Sequence, residues 1–316
     1  MSIHKTTRDA LTQHHFETAP GQQLHYWCLG NPEDNKPILI MQHGMRDVGR
    51  SLLPIAQALC DQFYCVMPDL RGHGKSFKPG HYAITHFLMD LRQLQRHLKA
   101  SRIHLLGHSL GGHICANFSG IYADEVETLT LIEGLGPPPD EQSSGQPLAN
   151  LAASFDRAIA TANEAKSQRV LKDLAMATER LLINNPGLTP EWAEQLARWG
   201  TQPAPQPGDG LIWSFDARAQ EVFLGMNENL SFDFWQAVKA RTLVVTGDLG
   251  HLYWAGQFPV DGYSGRFSKD QWHQRMTALS SQVPAQHQEI AGAGHQVHYD
   301  QPKSLAKVVR AFLLQP

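Results

Sequence analysis

Cysteine is scarce in this 316-residue chain: Cys28, Cys60, Cys65 and Cys115 are the only four, and none forms a C-x-x-C pair. All four fall in apolar strand or helix contexts. They read as small buried hydrophobes in a reduced compartment, which excludes a disulfide framework or a thiolate zinc site. A positive charge excess is also missing. The 27 Lys and Arg stand against 30 Asp and Glu, for a net charge of −3, without the basic stripe that nucleic acid requires or the polybasic tail that anionic membranes attract. No window approaches the roughly 18 consecutive apolar residues of a membrane span. The polar, His- and Thr-rich stretch Met1–Ala19 has no apolar leader core. Together these absences predict a cytoplasmic protein whose partner is a small molecule, neither nucleic acid nor membrane.

A metal motif is missing too, despite 17 histidines. The close pairs are His14–His15, His104/His108 and His295/His298, and none forms H-E-x-x-H or joins a carboxylate cluster. The histidines read as structural or surface residues, His295 excepted, and neither a metal nor an organic cofactor is expected.

What remains is an ordinary globular composition, 42% hydrophobic and 18% charged, organised as short apolar runs alternating with helix-length segments. An early hairpin is expected through Pro20-Gly21. Strands follow at Pro37–Met41, Phe63–Met67, from Ile103 to the serine turn, and at Val126–Ile132, with helices near Val48–Cys60, Thr85–Lys99 and Leu110–Tyr122. The prolines at 137–139 then break the rhythm. From there to about residue 235 the spacing is helical, without strands. Alternation resumes with strands at Thr242–Thr246 and Gln288–Ile290 and helices near Lys269–Ser280 and Pro302–Leu314. The expected class is α/β: a mostly parallel sheet flanked by helices, its core formed by 1–136 and 236–316, with 137–235 inserted as a helical cap. Trp192, Trp199, Trp213 and Trp235 in or near that insertion suggest an apolar pocket roof.

The chemistry-bearing motif is Gly107-His108-Ser109-Leu110-Gly111, a G-x-S-x-G between an apolar strand and a helix. Ser109 must turn sharply from one to the other, which strains its backbone and holds its hydroxyl above the sheet edge. Side chains at 107 and 111 would collide as the elements close. A serine hydroxyl needs a base in contact; His295, after the small-residue loop Ala291-Gly292-Ala293-Gly294, is the candidate. Two carboxylates end neighbouring core strands and could orient it: Glu133, which is favoured for directly ending its strand and for its extra reach, and Asp248 as the alternative. Backbone N–H groups of Leu110, at a helix start, and Met45, after His43-Gly44, are candidate oxyanion donors. Arg46, Asp47 and Arg50 read as a salt-bridged structural cluster, with binding of an acidic substrate group as the alternative, and Asp69, Arg71 and His73 as turn-stabilising residues.

Gln42-His43-Gly44-Met45, the run Pro68 to Ser76, Gly107 to Gly112 and Gly292 to His295 resemble, in order, the α/β-hydrolase superfamily. Glu133 to Pro137, Asn184 to Thr189 and Gly210 to Asp216 look more loosely like its serine-hydrolase-like subgroup. The resemblance implies the α/β-hydrolase fold, Ser109 as nucleophile, His295 as base, and Met45 and Leu110 as oxyanion donors. It departs at Gly250, where many members carry the acid; haloalkane dehalogenases of the superfamily can place a glutamate at the position of Glu133. Those enzymes and epoxide hydrolases use an aspartate nucleophile, so a serine here disfavours both reactions. The expected function is a serine hydrolase acting on a small or medium acyl ester through an acyl-enzyme. Cleavage of a C–C or amide bond by the same triad, or a non-catalytic ligand-binding homologue, are the alternatives. An interfacial lipase is disfavoured for want of a long exposed apolar lid.

Overall fold

In the computed structural model the described residues are 10–136, 147–163, 170–206, 208–224, 228–257, 269–281 and 283–315. The strands of the core are β1 (Thr12–Ala19), β2 (Gln22–Leu29), β3 (Ile38–Gln42), β4 (Tyr64–Pro68), β5 (Ile103–His108) and β6 (Val126–Ile132), continued after the insertion by β9 (Arg241–Gly247) and β10 (Ala285–Ile290). They form one eight-stranded sheet in the order β1-β2-β4-β3-β5-β6-β9-β10. β2 runs antiparallel to both its neighbours, and every pairing from β4 to β10 is parallel. Parallel strands joined through helices are covered on both faces, so their side chains are apolar in both directions. Leu39, Ile40, Met41, Val66, Leu105, Leu106, Leu129 and Leu131 are accordingly buried.

Two apolar layers result. α2 (Ile84–His97) and α3 (Leu110–Ile121) cover one face of the sheet; α1 (Leu53–Leu59) and α11 (Pro302–Leu313) cover the other. The helix expected from Val48 begins instead as a 3-10 turn, Gly49–Leu52, because Pro54 sits at the start of α1 and Gly49 lies against the carbonyls of Met67 and Pro68.

The insertion contains α4 (Pro147–Asn163), α5 (Leu174–Asn184), α6 (Pro190–Gly200) and α7 (Glu228–Gln236). Two of its features correct the expectation of a purely helical cap. A short antiparallel pair, β7 (Thr201–Pro203) with β8 (Leu211–Trp213), closes the proline-rich linker, and Leu171 bridges to Leu211 beside it. Trp235 is not part of a roof: it is 2% exposed within the main core, edge-on to His113, because α7 packs directly on α3. Trp192 and Trp199 do pack in the insertion, edge-to-face with each other. Contrary to the expected lack of exposed apolar helix, α4 leaves Leu148, Phe155 and Ile159 exposed. The prolines at 137–139 lie outside the described residues.

Closing the fold are α8 (Gly250–Gln257), α9 (Lys269–Leu279) and α10 (Val297–Asp300). Among the described residues no helix is long and apolar enough to cross a membrane.

The α3–α7 contact is testable at Gly120, where an added Cβ would stand 2.0 Å from the Phe234 carbonyl oxygen. Gly120→Ala should cost about 1–3 kcal/mol by forcing the helices apart. Urea titration should show a lower midpoint with an unchanged slope, whereas Gly256→Ala, whose methyl would meet nothing within 4 Å, should leave the midpoint in place.

Candidate active site

The site is assembled where β3, β5, β6 and β9 end, and close backbone packing puts it there. A Cβ on Gly107 would lie 2.3 Å from the Gly111 carbonyl, and one on Gly111 would lie 2.4 Å from that of Gln42. The strand therefore reverses into α3 against bare backbone. Ser109, at the apex, has φ 48° and ψ −116°, a region that side chains avoid. Its N–H is held by the Ile132 carbonyl at 2.9 Å. Glu133, the first residue after β6, also has a positive φ, 48°.

These two residues meet at one imidazole. His295 Nε2 lies 2.9 Å from Ser109 Oγ, and His295 Nδ1 lies 3.2 Å from Glu133 Oε2. The other Glu133 oxygen, Oε1, accepts from the Gly247 N–H at 2.9 Å. With Nδ1–H donated to the carboxylate, Nε2 is left as an acceptor for the serine O–H. The imidazole is 4% exposed, so bulk water does not compete for it.

Asp248, the alternative carboxylate, does something else. Its Oδ1 accepts from the Ala293 N–H at 3.2 Å, while the Leu249 N–H donates to the Ala293 carbonyl at 2.9 Å. It thus ties down the loop that carries His295. At Gly250 an added Cβ would stand 2.5 Å from Glu133 Oε1. The carboxylate of Glu133, which follows β6, lies in the space beside that bare position.

The loop after β3 passes beside Ser109. A Cβ on Gly44 would fall 3.2 Å from Ser109 Cβ, with Met45 next in the chain. Two buried histidines clamp this loop. His43 Nε2 accepts the Leu70 N–H at 2.9 Å, so its Nδ1–H donates to the Gly44 carbonyl at 2.7 Å. His73 Nε2 accepts the Arg46 N–H and its Nδ1 faces the Arg71 carbonyl, both at 3.1 Å. Burial lowers the pKa of both, that of His73 to about 3. Both rings are neutral, as an accepting Nε2 requires. His73 had been read only as a turn residue; the histidine within each glycine-flanked motif was the available signal for this clamp.

The Arg46–Asp47–Arg50 salt-bridge cluster does not form. Both Asp47 oxygens are taken by other donors, Val48 N–H and Tyr299 O–H on Oδ1, and Ser51 O–H and His298 Nε2–H on Oδ2, all within 3.1 Å. Arg50 instead stacks 4.6 Å from the Trp27 and Trp199 rings, and Arg46 is exposed, 5.9 Å from the Phe215 ring centre. The other turn residues are as expected: Arg71 forms a two-pronged pair with Asp90, and Asp69 accepts from the N–H groups of Gly49 and Lys75.

Asp47, His108 and His298 are also the one group among the described residues with spacing suited to a metal ion. With four donors already on Asp47 and His108 Nε2–H given to the His295 carbonyl at 2.9 Å, the group is a hydrogen-bonded brace under the His295 loop. The His104/His108 pair is separated: His104 bonds Thr128.

The sequence pattern assigns no element between Asp248 and Lys269; the structure places α8 there, which stacks Tyr253 flat on His295 at 4.1 Å and sets Trp254 edge-on at 5.2 Å. Residues 258–268 lie outside the described residues.

A family-wide sequence profile described as alpha/beta hydrolase fold matches residues 37–302. The zebrafish (Danio rerio) serine hydrolase-like protein is 25% identical over 287 residues, 89% of this chain and 82% of the relative. Human (Homo sapiens) serine hydrolase-like protein 2 is 25% identical over 88% of this chain and 87% of the relative. Among solved structures, the thioesterase domain from the curacin biosynthetic pathway superposes with a TM-score of 0.76 at 23% identity, covering 96% of this chain and 100% of that one.

The brace makes a prediction at Asp47. Burial pushes its carboxyl up, but the hydrogen bonds and charge of His298, helped by His43 and Tyr299, more than reverse this and hold it well below the usual range. A carboxylate depressed below its unfolded value near 4 stabilises the fold above that pH and loses the contribution as pH falls toward the folded value. Asp47→Asn should therefore cost about 2–4 kcal/mol at pH 7. In chemical denaturation at several pH values, the gap to the parent should shrink below about pH 4; a gap constant with pH would contradict this role.

Proposed function

The chain belongs to the alpha/beta hydrolase fold family, and on that premise we propose that it is a serine hydrolase that cleaves a small or medium acyl ester through an acyl-enzyme on Ser109. The observation that carries this reading is the unbroken chain Ser109 Oγ–His295 Nε2 at 2.9 Å and His295 Nδ1–Glu133 Oε2 at 3.2 Å.

In the first half-reaction Ser109 Oγ attacks the ester carbonyl carbon while its proton passes to His295 Nε2. Glu133 stays ionised; it fixes the tautomer of His295 and stabilises the imidazolium that forms. The tetrahedral intermediate collapses as the same proton is handed to the departing alkoxide, which leaves as the alcohol. A water then loses a proton to Nε2, adds to the acyl carbon, and the acid departs with Ser109 Oγ reprotonated.

The negative charge on the carbonyl oxygen needs donors already in position. Leu110, first residue of α3, has an N–H with no acceptor inside its helix, and the helix dipole reinforces it. Met45 is the second donor in this reading. Its peptide is trans, so the Gly44 carbonyl and Met45 N–H point in opposite directions; His43 holds the carbonyl, which turns the N–H away from His43. Each such donor is worth about 3–4 kcal/mol in the transition state.

The test is labelling and turnover. A fluorophosphonate should label Ser109, and short p-nitrophenyl esters should be hydrolysed with a burst. Ser109→Ala and His295→Ala should each lower kcat by about 10⁴-fold or more, and Glu133→Gln by about 10²–10⁴-fold. Asp248→Asn should remain within about tenfold of the parent, since it acts through the Ala293 loop and not on the imidazole. Unlabelled Ser109, with neither esters nor the corresponding anilides turned over, would refute the reading.

A further inference from the structure

The missing Arg46–Asp47 pair leaves a cation on the loop that passes beside Ser109. Asp47 is saturated by Val48, Ser51, His298 and Tyr299, and no carboxylate pairs with Arg46 among the described residues. Arg50, by contrast, is occupied between the Trp27 and Trp199 rings. The third nearby guanidinium, Arg275, is 4% exposed and donates to the carbonyls of Leu135 and Gly136. Arg46 is therefore distinct among these arginines in being exposed.

Its position is held firmly. Arg46 stands two residues beyond Gly44, where an added Cβ would come within 3.2 Å of Ser109 Cβ, and takes φ 63°, a conformation unusual for a residue with a side chain. His73 holds that turn by accepting the Arg46 N–H. The guanidinium is thereby directed over Phe215, at 5.9 Å. Its charge also reaches Tyr253, the ring stacked on His295: burial raises the Tyr253 phenol, and Arg46 opposes the rise. An unpaired cation thus stands on the loop beside Ser109, between Phe215 of the insertion and Tyr253 of α8.

Resting on the serine-hydrolase reading, we propose that Arg46 recognises a carboxylate on the acyl substrate, so that the natural ester is a monoanion. A single guanidinium matches a single negative charge, and its planar fork fits a carboxylate through two parallel hydrogen bonds. The contact lies away from the carbonyl under attack, so it acts on binding and orientation of the substrate.

The experiment compares two esters of equal acyl length, mono-p-nitrophenyl succinate and p-nitrophenyl butyrate. The parent should favour the anionic ester in kcat/KM by about tenfold or more, chiefly through KM. Arg46→Met should erase the preference and Arg46→Lys should retain part of it. High salt should weaken the parent's preference. Because methionine takes the same strained turn as arginine, the melting temperature should hold. A preference that is absent in the parent, or unchanged in Arg46→Met, overturns the proposal.

A binding arm separates this outcome from failure of the hydrolase reading. In calorimetry, Ser109→Ala protein should bind monomethyl succinate about tenfold or more tighter than the Ser109→Ala/Arg46→Met double variant. If Ser109 resists the fluorophosphonate yet this difference appears, the hydrolase reading fails while Arg46 remains an anion-binding residue. If Ser109 is labelled and the difference is absent, only the carboxylate proposal fails.

Discussion

Everything at the site depends on bare backbone meeting bare backbone at the carboxyl ends of the central strands. Gly107 against Gly111, Gly111 against Gln42, Gly112 against Gly134 and Gly247 against Ala293 each leave less room than a methyl group occupies. These contacts draw the ends of β3, β5, β6 and β9 and the loop after β10 into one small volume. The strain at Ser109 and Glu133 follows from the same packing, since each strand must turn abruptly where its neighbours crowd it. The burial of the sheet on both faces stabilises the whole, and the positive φ of Ser109 and Glu133 is tolerated within it.

Much of this was legible in the sequence because it rests on local rules. β6 occupies the segment read from its apolar run, and α3 starts at Leu110 because glycines flank the serine turn. The rest depended on partners remote in the chain. Asp47 bonds His298 and Tyr299, more than 250 residues away, so proximity to Arg46 and Arg50 suggested the wrong pairing. Glu133 and Asp248 were hard to rank because β6 and β9 are neighbours and each carboxylate follows its own strand. What separates them is that Glu133 reaches His295 Nδ1 while Asp248 accepts from the Ala293 N–H. Trp235 was misassigned because helical spacing reveals an apolar face without revealing what it packs on. Tyr253 carried no signal beyond lying in an aromatic pair.

The many histidines divide by function once their partners are known. His43 and His73 accept backbone N–H groups and are kept neutral by burial, holding the loop beside the serine without adding charge near it. His108 is driven to the neutral form as well and supports the His295 carbonyl. His298 anchors on a carboxylate. Among the described residues only His295 has a carboxylate on one nitrogen and a hydroxyl on the other, the arrangement that lets an imidazole relay a proton.

Gly250 bears on how the glutamate is housed. A Cβ built there would stand 2.5 Å from Glu133 Oε1, the tip of that side chain. A larger residue at 250 would therefore press first on the carboxylate and shift it relative to the His295 ring, so the bareness of this position sets where the carboxylate rests.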